Sequence, residues 1–278
     1  MTNAIDSQLT ARREAFRELL QRVRLIMAEQ YKLKATSIRP VGGGGSRLSI
    51  PVRINGLNER GEKVCYFAKI IGKTEFVTER TIQLFKNLYL ATSDREMMFG
   101  DIQSPEEMAK YQYRMLQSIY DLGIPTAKPL GVHSIDGSSF LLVAEFLKAK
   151  PISSVKEVNP QILETVFGYL RKMHQKGIYH GDIKPENIML GDRIYIIDVG
   201  NLSETASRDL KQAYDLACQI ASFVGCCQTE TIITTARRYY SKGEMRAAVE
   251  FLDLVQRRPD IDLSDERKNR LRDLMMGG

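Results

Sequence analysis

One segment, residues 180–200, constrains the fold and function of this chain more than any other. It begins with the polar run His180-Gly181-Asp182-Ile183-Lys184-Pro185-Glu186-Asn187 and continues through the apolar Ile188-Met189-Leu190. A turn signal, Gly191-Asp192, follows, and a second apolar run then ends in Asp198-Val199-Gly200. The order of polar loop, apolar strand, tight turn, apolar strand and polar loop is the most specific pattern in the sequence.

This segment resembles the catalytic and metal-binding loops of the protein-kinase-like superfamily. The matching pattern is H-x-D-x-K-P-x-N, followed shortly by an apolar strand that ends in D-x-G. The resemblance implies that Asp182 accepts or orients the acceptor hydroxyl and that Lys184 points toward the γ-phosphate of ATP. It also implies that Asn187 and Asp198 hold Mg²⁺, which prefers oxygen ligands. An aspartate in a turn before a strand is common, but four such residues in this order are not.

A run of glycines upstream fits the same resemblance. It consists of Gly42, Gly43, Gly44 and Gly45, followed by Ser46. Glycines between two strands let the backbone approach a triphosphate and donate N–H groups to it, although such a run is often only a hairpin loop. The run is closer to the G-G-x-S/T loops of aminoglycoside- and choline-kinase relatives than to the loops of protein kinases. By resemblance, it binds ATP together with Lys69 of the third predicted strand.

The adenine end of the site is predicted from the apolar run 141–147. This run resembles the fifth strand and hinge of the superfamily, so the backbone of Glu145 and Leu147 would bond adenine. Met189 would form part of the floor, although ordinary core packing requires an apolar side chain there as well. The implied cofactors are ATP and Mg²⁺.

Hydrophobic periodicity predicts three segments and an α+β fold. Residues 1–34 contain an amphipathic helix, residues 35–147 form a β-rich half with a helical insertion near 74–103, and residues 148–278 form a mainly helical half. Taken with this order of elements, the resemblance implies a bilobal, protein-kinase-like fold, with a small β-rich N-lobe, a mainly helical C-lobe and an extra N-terminal helix.

Departures from the family pattern bear on regulation. Gly181 replaces the arginine of H-R-D, so a switch that depends on activation-loop phosphorylation is not expected. Few residues separate Asp198 from Asp215 and no A-P-E follows, so the peptide-docking segment is missing, as in RIO-type kinases. Asp215 is expected either to buttress the catalytic loop or to cap a helix. Val199 stands where D-F-G has phenylalanine.

The sequence does not show a clear acidic partner for Lys69. Gln112 aligns best with the glutamate that pairs with this lysine in the superfamily, and Glu107 and Glu79 are the substitutes nearby. If no carboxylate reaches Lys69, phosphate positioning loosens and activity should fall.

The charge, cysteine content and apolar runs of the chain limit which partners and which compartment are expected. The chain has 40 Lys+Arg and 34 Asp+Glu, for a net charge of +6, which is compatible with nucleotide, acidic peptide, nucleic acid or phospholipid partners and selects none of them. The 4 cysteines contain no C-x-x-C pair, so we expect free thiols and a reducing, cytoplasmic environment. Charged residues interrupt the first 20 positions, so they contain no apolar core of a signal peptide. The longest apolar run is shorter than the ~20 residues needed to span a bilayer.

The sequence supports several hypotheses about function. The leading one is an atypical, RIO-like kinase that transfers the γ-phosphate of ATP to a serine or threonine of a protein, as Lys184 favours. A small-molecule, sugar or lipid acceptor is favoured instead by Gly181, the glycine run and the short segment after Asp198. A nucleotide-binding pseudokinase is suggested by Gln112, and nucleic-acid binding is suggested only by the net charge. The acceptor, the oligomeric state and the role of the N-terminal helix are not determined by the sequence.

Overall fold

A computed structural model shows the chain as two compact units. It describes residues 2–41, 49–73, 83–84, 86–87, 90 and 97–277. The first unit comprises Met1–Glu79, Gln103–Tyr113 and Pro129–Phe146, and the second comprises Arg80–Ile102, Arg114–Lys128 and Leu147–Gly278. Each unit has its own core.

An antiparallel sheet forms the centre of the first unit. Its strands are β1 (Lys34–Pro40), β2 (Ile50–Leu57), β3 (Lys63–Ile71), β4 (Pro129–Ser134) and β5 (Phe140–Glu145). Their order across the sheet is β1-β2-β3-β5-β4. Strand β2 pairs along its whole length with the central strand β3, in which Lys69 lies between Pro51 of β2 and Leu142 of β5.

The N-terminal helix α1 (Thr2–Tyr31) covers this sheet. Val23 and Met27, four residues apart and therefore on one face of the helix, are fully buried. They pack in one cluster with sheet residues Val52, Ile54, Ala68, Ile70, Leu141 and Val143. The helix ends at Tyr31, and the next residue, Lys32, has a φ of 53°, the left-handed conformation found after many helices. The extra helix is thus an integral part of the first unit.

The second unit is mainly helical. The helices that lie wholly within it are α3 (Pro160–Gln175), α4 (Arg208–Ser222), α5 (Thr229–Tyr239), α6 (Lys242–Val249), α7 (Leu252–Gln256) and α8 (Asp265–Met276). Helix α2 (Pro105–Asp121) contributes residues to both units. Helix α4 is the most buried of those described, since nearly every residue from Lys211 to Ser222 is inaccessible to solvent. It begins at a capping serine, Ser207, whose hydroxyl accepts the N–H of Leu210. The all-helical C-terminal part predicted from the sequence is confirmed.

A small sheet in the second unit carries the segment that dominates the sequence. Its strands are β6 (Lys150–Pro151), β7 (Ile188–Leu190) and β8 (Ile194–Ile196), in the order β6-β7-β8. The predicted turn at Gly191-Asp192 joins β7 to β8, and the Tyr195 hydroxyl donates a 2.6 Å hydrogen bond to Asp192. Residues 187 and 198 therefore flank the same short hairpin.

The α+β fold class is confirmed, while the division into residues 1–34, 35–147 and 148–278 stays a prediction. Phe99 packs edge-on against Tyr214 at 5.3 Å, and the backbone of Gly100 donates to Asn201. Most of the predicted helical insertion near residues 74–103 lies outside the described residues, although Gln83, Leu84, Lys86, Asn87 and Leu90 are helical. Contacts with α4 and with the loop after β8 hold Phe99 and Gly100 in place.

Two expectations from composition can be compared with the structure. All four cysteines are free thiols, as predicted. In the described part of the chain, no helix has the length and hydropathy needed to cross a membrane. The cytoplasmic location stays a prediction.

Candidate functional site

The loop between α3 and β7 is anchored by a buried carboxylate on α4. Asp215 Oδ2 accepts the backbone N–H of His180 at 2.6 Å, and Oδ1 accepts that of Gly181 at 2.8 Å. The His174 Nε2 atom lies 3.4 Å from the same carboxylate, whose side chain is fully buried. Because Asp215 lies within α4, it buttresses the loop and is not a helix cap. This was one of the two roles expected for Asp215.

Two glycines lock this loop to the loop that follows β8. The N–H of Gly200 donates to the carbonyl of His180 at 2.9 Å. Gly181 has a φ of 76°, and a Cβ on it would lie 2.8 Å from Leu202 Cγ. A Cβ on Gly200 would lie 2.6 Å from the carbonyl oxygen of Gly181. This close backbone approach explains why glycine, and not arginine, stands before Asp182.

The predicted residues Asp182, Lys184, Asn187 and Asp198 meet around the amide of Asn187. Its Nδ2 atom donates to the Asp182 carbonyl at 2.8 Å, to Asp182 Oδ2 at 3.2 Å and to the Asp198 carbonyl at 3.3 Å. Lys184 Nζ lies 3.1 Å from Asp182 Oδ2. The single turn Pro185–Asn187 returns the chain to Asp182 and makes this closure possible.

The backbone of Asp198 has an unusual conformation. Its φ of 57° is left-handed, which aspartate tolerates better than most residues. The preceding residue, Ile197, donates its N–H to the carbonyl of Asn187 at 3.0 Å. The chain therefore turns sharply out of β8 at the residue predicted to bind metal, while its neighbours stay bonded to the catalytic loop.

Arg258, which follows α7, is a member of the site that the sequence did not reveal. Its Nη2 atom donates to Asp182 Oδ1 at 2.7 Å and to Asp260 Oδ2 at 2.9 Å. Its Nε atom donates to Asp260 Oδ1 at 3.0 Å. Its Nη1 atom contacts the Tyr214 hydroxyl at 3.2 Å and Cys218 Sγ at 3.4 Å. A guanidinium from the C-terminal part of the chain thus contacts the proposed catalytic carboxylate.

Asp260 is the second unexpected member. Besides its paired bonds with Arg258, its Oδ2 atom lies 3.2 Å from Lys184 Nζ. Lys184 is therefore held between two carboxylates, those of Asp182 and Asp260, and keeps 16% of its side chain exposed. Two acidic and two basic side chains form one alternating network at this point.

The network shifts the protonation equilibria of its members. Burial alone would raise the pKa of Asp182, but the charges of Arg258, Lys184 and Lys86 hold it below its usual value. Burial likewise opposes the charge on Lys184, yet the two neighbouring carboxylates raise its pKa. The pKa of Asp260 is lowered, against the effect of burial, by its bonds to Arg258. These ionisable groups are thus held in their charged forms.

Lys86 is a third cation of this network, and sequence reasoning missed it too. It belongs to the helical residues before Met97, and its Nζ lies 4.8 Å from the centre of the Phe99 ring. Burial and then the positive charge of Arg258 lower the pKa of Lys86. The half-buried Lys86 ammonium adds to the positive field on the Asp182 carboxylate.

No local signal could have revealed Arg258 and Asp260. Arginine, proline and aspartate after a helix are ordinary loop composition, and Arg258 lies 76 positions from Asp182. Asp215, in contrast, is suggested by the sequence, because it follows Asp198 closely.

The other predicted site residues lie as follows. Lys69 is on β3 and Glu145 ends β5, both in the first unit. Leu147 and Met189 belong to the second unit, where Met189 of β7 faces Pro151 and Tyr195 in the small sheet. The glycine run with Gly42, Gly43, Gly44, Gly45 and Ser46 lies outside the described residues. The nucleotide-binding roles of all these residues stay predictions.

The candidates for an acidic partner of Lys69 differ in their surroundings. Glu107 accepts the N–H of Gln103 at 2.9 Å, while its own N–H donates to Ser104, so it helps cap α2. Gln112 is buried, and among the described residues nothing donates a hydrogen bond to its Oε1 atom. Glu79 lies outside the described residues. A buried neutral amide cannot replace a carboxylate as the counter-ion of a lysine.

Sequence comparison finds relatives that include serine/threonine-protein kinases. No family model matches the chain. A protein of Methanosarcina acetivorans assigned as a bifunctional tRNA threonylcarbamoyladenosine biosynthesis protein is 28% identical over 130 residues, which are 46% of this chain and 21% of that protein. A RIO-type serine/threonine-protein kinase of Haloferax volcanii is 29% identical over 96 residues, or 32% of this chain and 31% of the relative. The chain thus spans about a fifth to a third of the length of these relatives.

Structural comparison finds a solved structure with a similar fold over most of the chain. A solved structure of a Haemophilus somnus protein assigned as a fructosamine-3-kinase aligns with a TM-score of 0.51 and 11% identity. The alignment covers 94% of this chain and 97% of that protein. At this identity the likeness shows a shared fold, and it extends beyond the segments matched by sequence.

Proposed function

We propose that the chain is a member of the protein-kinase-like superfamily and an ATP-dependent phosphotransferase that moves the γ-phosphate to a hydroxyl acceptor. The observation that carries this proposal is the hydrogen-bonded set of Asp182, Lys184, Asn187 and Asp198. Phosphoryl transfer needs groups that position the acceptor, neutralise phosphate charge and bind metal, and this set supplies each of them.

The residues present fit magnesium. The Nδ2 donors of Asn187 are committed to Asp182 and Asp198, which leaves the amide oxygen as the atom that can bind a cation. With the carboxylate of Asp198 it makes a pair of oxygen ligands, and Mg²⁺ usually combines one or two such ligands with substrate phosphate and water. The described residues hold no group of three or more His, Cys, Asp or Glu side chains suited to a metal. When bound, Mg²⁺ would neutralise charge on the phosphate oxygens.

The reaction forms one bond and breaks one. The acceptor oxygen bonds to the γ-phosphorus while the bond to the β–γ bridging oxygen breaks, and ADP leaves with that electron pair. Asp182 accepts the hydrogen bond of the acceptor hydroxyl and directs its oxygen to the phosphorus. The neighbouring cations keep the pKa of Asp182 low, which favours orientation of the hydroxyl over early proton abstraction, so the hydroxyl proton passes to the Asp182 carboxylate late in the transfer.

For the acceptor, we infer a serine or threonine of a protein. Lys184, next to Asp182, supports this choice, and a RIO-type serine/threonine kinase is among the relatives. A small-molecule, sugar or lipid acceptor is the second candidate, because only residues 199–207 separate Asp198 from α4 and leave little chain for peptide docking. Autophosphorylation, together with a panel of peptide, sugar and lipid acceptors, distinguishes the two.

A third candidate, a nucleotide-binding pseudokinase, is supported by the buried amide of Gln112. It predicts ATP binding with no release of ADP. A sensitive ADP assay on the purified protein separates it from both kinase hypotheses.

The first test is a thermal-shift titration with ATP, with and without Mg²⁺. A ligand at ~100 times its Kd stabilises a fold by about 2.7 kcal/mol, which is readily measured. We expect magnesium-dependent stabilisation of the wild type that fades in Asp198→Asn, because this change removes a metal ligand. The same magnesium dependence in both proteins would contradict the metal-binding role of Asp198.

The second test concerns Asp182. Asp182→Asn should abolish phosphoryl transfer and leave the Kd for ATP nearly unchanged, because the carboxylate contacts the acceptor and not the nucleotide. Loss of ATP binding in this variant would refute the assignment.

A further inference from the structure

The guanidinium of Arg258 is fully engaged by the protein. An arginine side chain carries five N–H donors, and five acceptor contacts surround this one: two on Asp260, one on Asp182, one on Tyr214 and one on Cys218. Only 4% of the Arg258 side chain is exposed. Tyr214 and Cys218 are fully buried on α4, the helix that also holds the catalytic loop through Asp215. Arg258 is therefore fixed to the same support as the loop.

Arg258 contacts the side of the Asp182 carboxylate opposite to Lys184. Oδ1 accepts from Arg258, whereas Oδ2 faces Lys184 and Asn187. With both oxygens engaged, rotation of the carboxylate is restricted, while 22% of the side chain remains exposed. Asp260 forms a paired, two-bond contact with Arg258 and thereby sets the plane of the guanidinium.

We propose that Arg258 is a positioning residue for phosphoryl transfer, which orients the Asp182 carboxylate toward the acceptor, and that Asp260 aligns Arg258 for this task. The inference deepens the proposed function and rests on it. Burying a guanidinium costs free energy that a surface ion pair does not, and here that cost fixes the one carboxylate to which an acceptor hydroxyl would bind. The C-terminal segment thereby becomes part of the active site.

The experiment compares four variants of the full chain. Arg258→Met removes the N–H donors of the guanidinium. Arg258→Lys keeps the positive charge but loses the paired N–H donors of the planar guanidinium. Asp260→Asn weakens the two-bond contact that aligns Arg258. Arg272→Gln is the matched control, because Arg272 also pairs with an aspartate, Asp253, in the C-terminal part of the chain, but at 3.4 Å and 38% exposed. The probe is ATP with Mg²⁺. The kcat for ADP formation, with water or the protein's own hydroxyls as acceptors, and the Kd for ATP are measured for each variant.

We expect Arg258→Met to lower kcat on the order of 100-fold, the loss typical of a displaced catalytic group, with the Kd for ATP within about twofold of wild type. Arg258→Lys should recover part of kcat, Asp260→Asn should fall between wild type and Arg258→Met, and Arg272→Gln should match wild type. If Arg258→Met does not fold, Arg258→Lys and Asp260→Asn carry the comparison with Arg272→Gln.

Each other outcome is decisive. If kcat is unchanged in the Arg258 and Asp260 variants, or if Kd and kcat deteriorate together, the positioning role is overturned and the proposed function stands. If the wild type binds ATP but forms no ADP, the phosphotransferase function fails and the positioning role fails with it.

Discussion

The backbone contact between Gly181 and Gly200 makes residue 181 sensitive to substitution. Gly181→Ala forces an L-residue to a φ of 76° and places a methyl group 2.8 Å from Leu202 Cγ. The left-handed backbone alone costs about 1–2 kcal/mol, and the clash adds to it, so we expect the free energy of unfolding to fall by about 3 kcal/mol. Denaturant unfolding measures the change, and kcat should fall as well, because Asp182 is the next residue.

Gly177 provides a matched control for this prediction. It has a φ of 70°, but a Cβ on it would meet nothing within 4 Å. Gly177→Ala should therefore show only the backbone cost of about 1–2 kcal/mol. Equal losses in the two variants would mean that the contact with Leu202 relaxes without penalty.

At the level of elements, the attachment of α1 to its sheet is testable within one helix. Met27 is fully buried in the core of the first unit, whereas Leu25 is 60% exposed. Met27→Ala should lower the free energy of unfolding by about 2–5 kcal/mol, because it leaves a cavity, and Leu25→Ala should change it by less than about 0.5 kcal/mol. Urea unfolding compares the two. A small loss in Met27→Ala would show that α1 contributes little to the stability of this unit.

A second element-level prediction concerns Glu244, which joins three helices. Its carboxylate accepts from Ser241 in a capping box at the start of α6, from Arg171 of α3 and from Gln212 of α4. Against the effect of burial, these bonds lower the pKa of Glu244 to about 2. A lowered pKa means that the stabilisation is complete above the unfolded pKa, about 4.3, and is lost as the pH falls toward 2.

Glu244→Gln tests this link. After allowance for solvent screening, we expect the variant to be less stable than wild type by about 1–2 kcal/mol at pH 7, with a difference that shrinks between pH 4.5 and about 2. Unfolding curves at several pH values measure it. Glu106→Gln serves as the control, since Glu106 pairs with exposed Lys110 on α2. A difference that is independent of pH would exclude the carboxylate as its cause.

For the whole molecule, the net charge of +6 leads to a prediction about nucleic acid. Basic residues are spread along the chain, so we expect binding of a random 20-nucleotide RNA to be non-specific and to weaken steeply between 50 and 200 mM salt. Fluorescence anisotropy with two unrelated RNA sequences measures this. A sequence preference that persists at 200 mM salt would revive the hypothesis of a dedicated nucleic-acid site.

Local patterns in the sequence determined the α+β class, the helices and the four polar residues of the candidate site. Helix starts such as Ser104 and Ser207, the turn at Gly191 and the spacing from Asp182 to Asn187 are properties of neighbouring residues, so the chain encodes them without reference to distant contacts. The kinase-like resemblance then assigned expected roles in phosphoryl transfer to these four polar residues.

The tertiary structure alone decided which distant groups complete the site. Arg258 reaches Asp182 only because the loop after α7 packs against Tyr214 and Cys218 of α4, and no periodicity or spacing encodes such an approach. For the same reason, the sequence did not predict that Phe99 packs on Tyr214. Contacts between segments far apart in sequence depend on the summed packing of whole elements, and a local pattern does not contain that information.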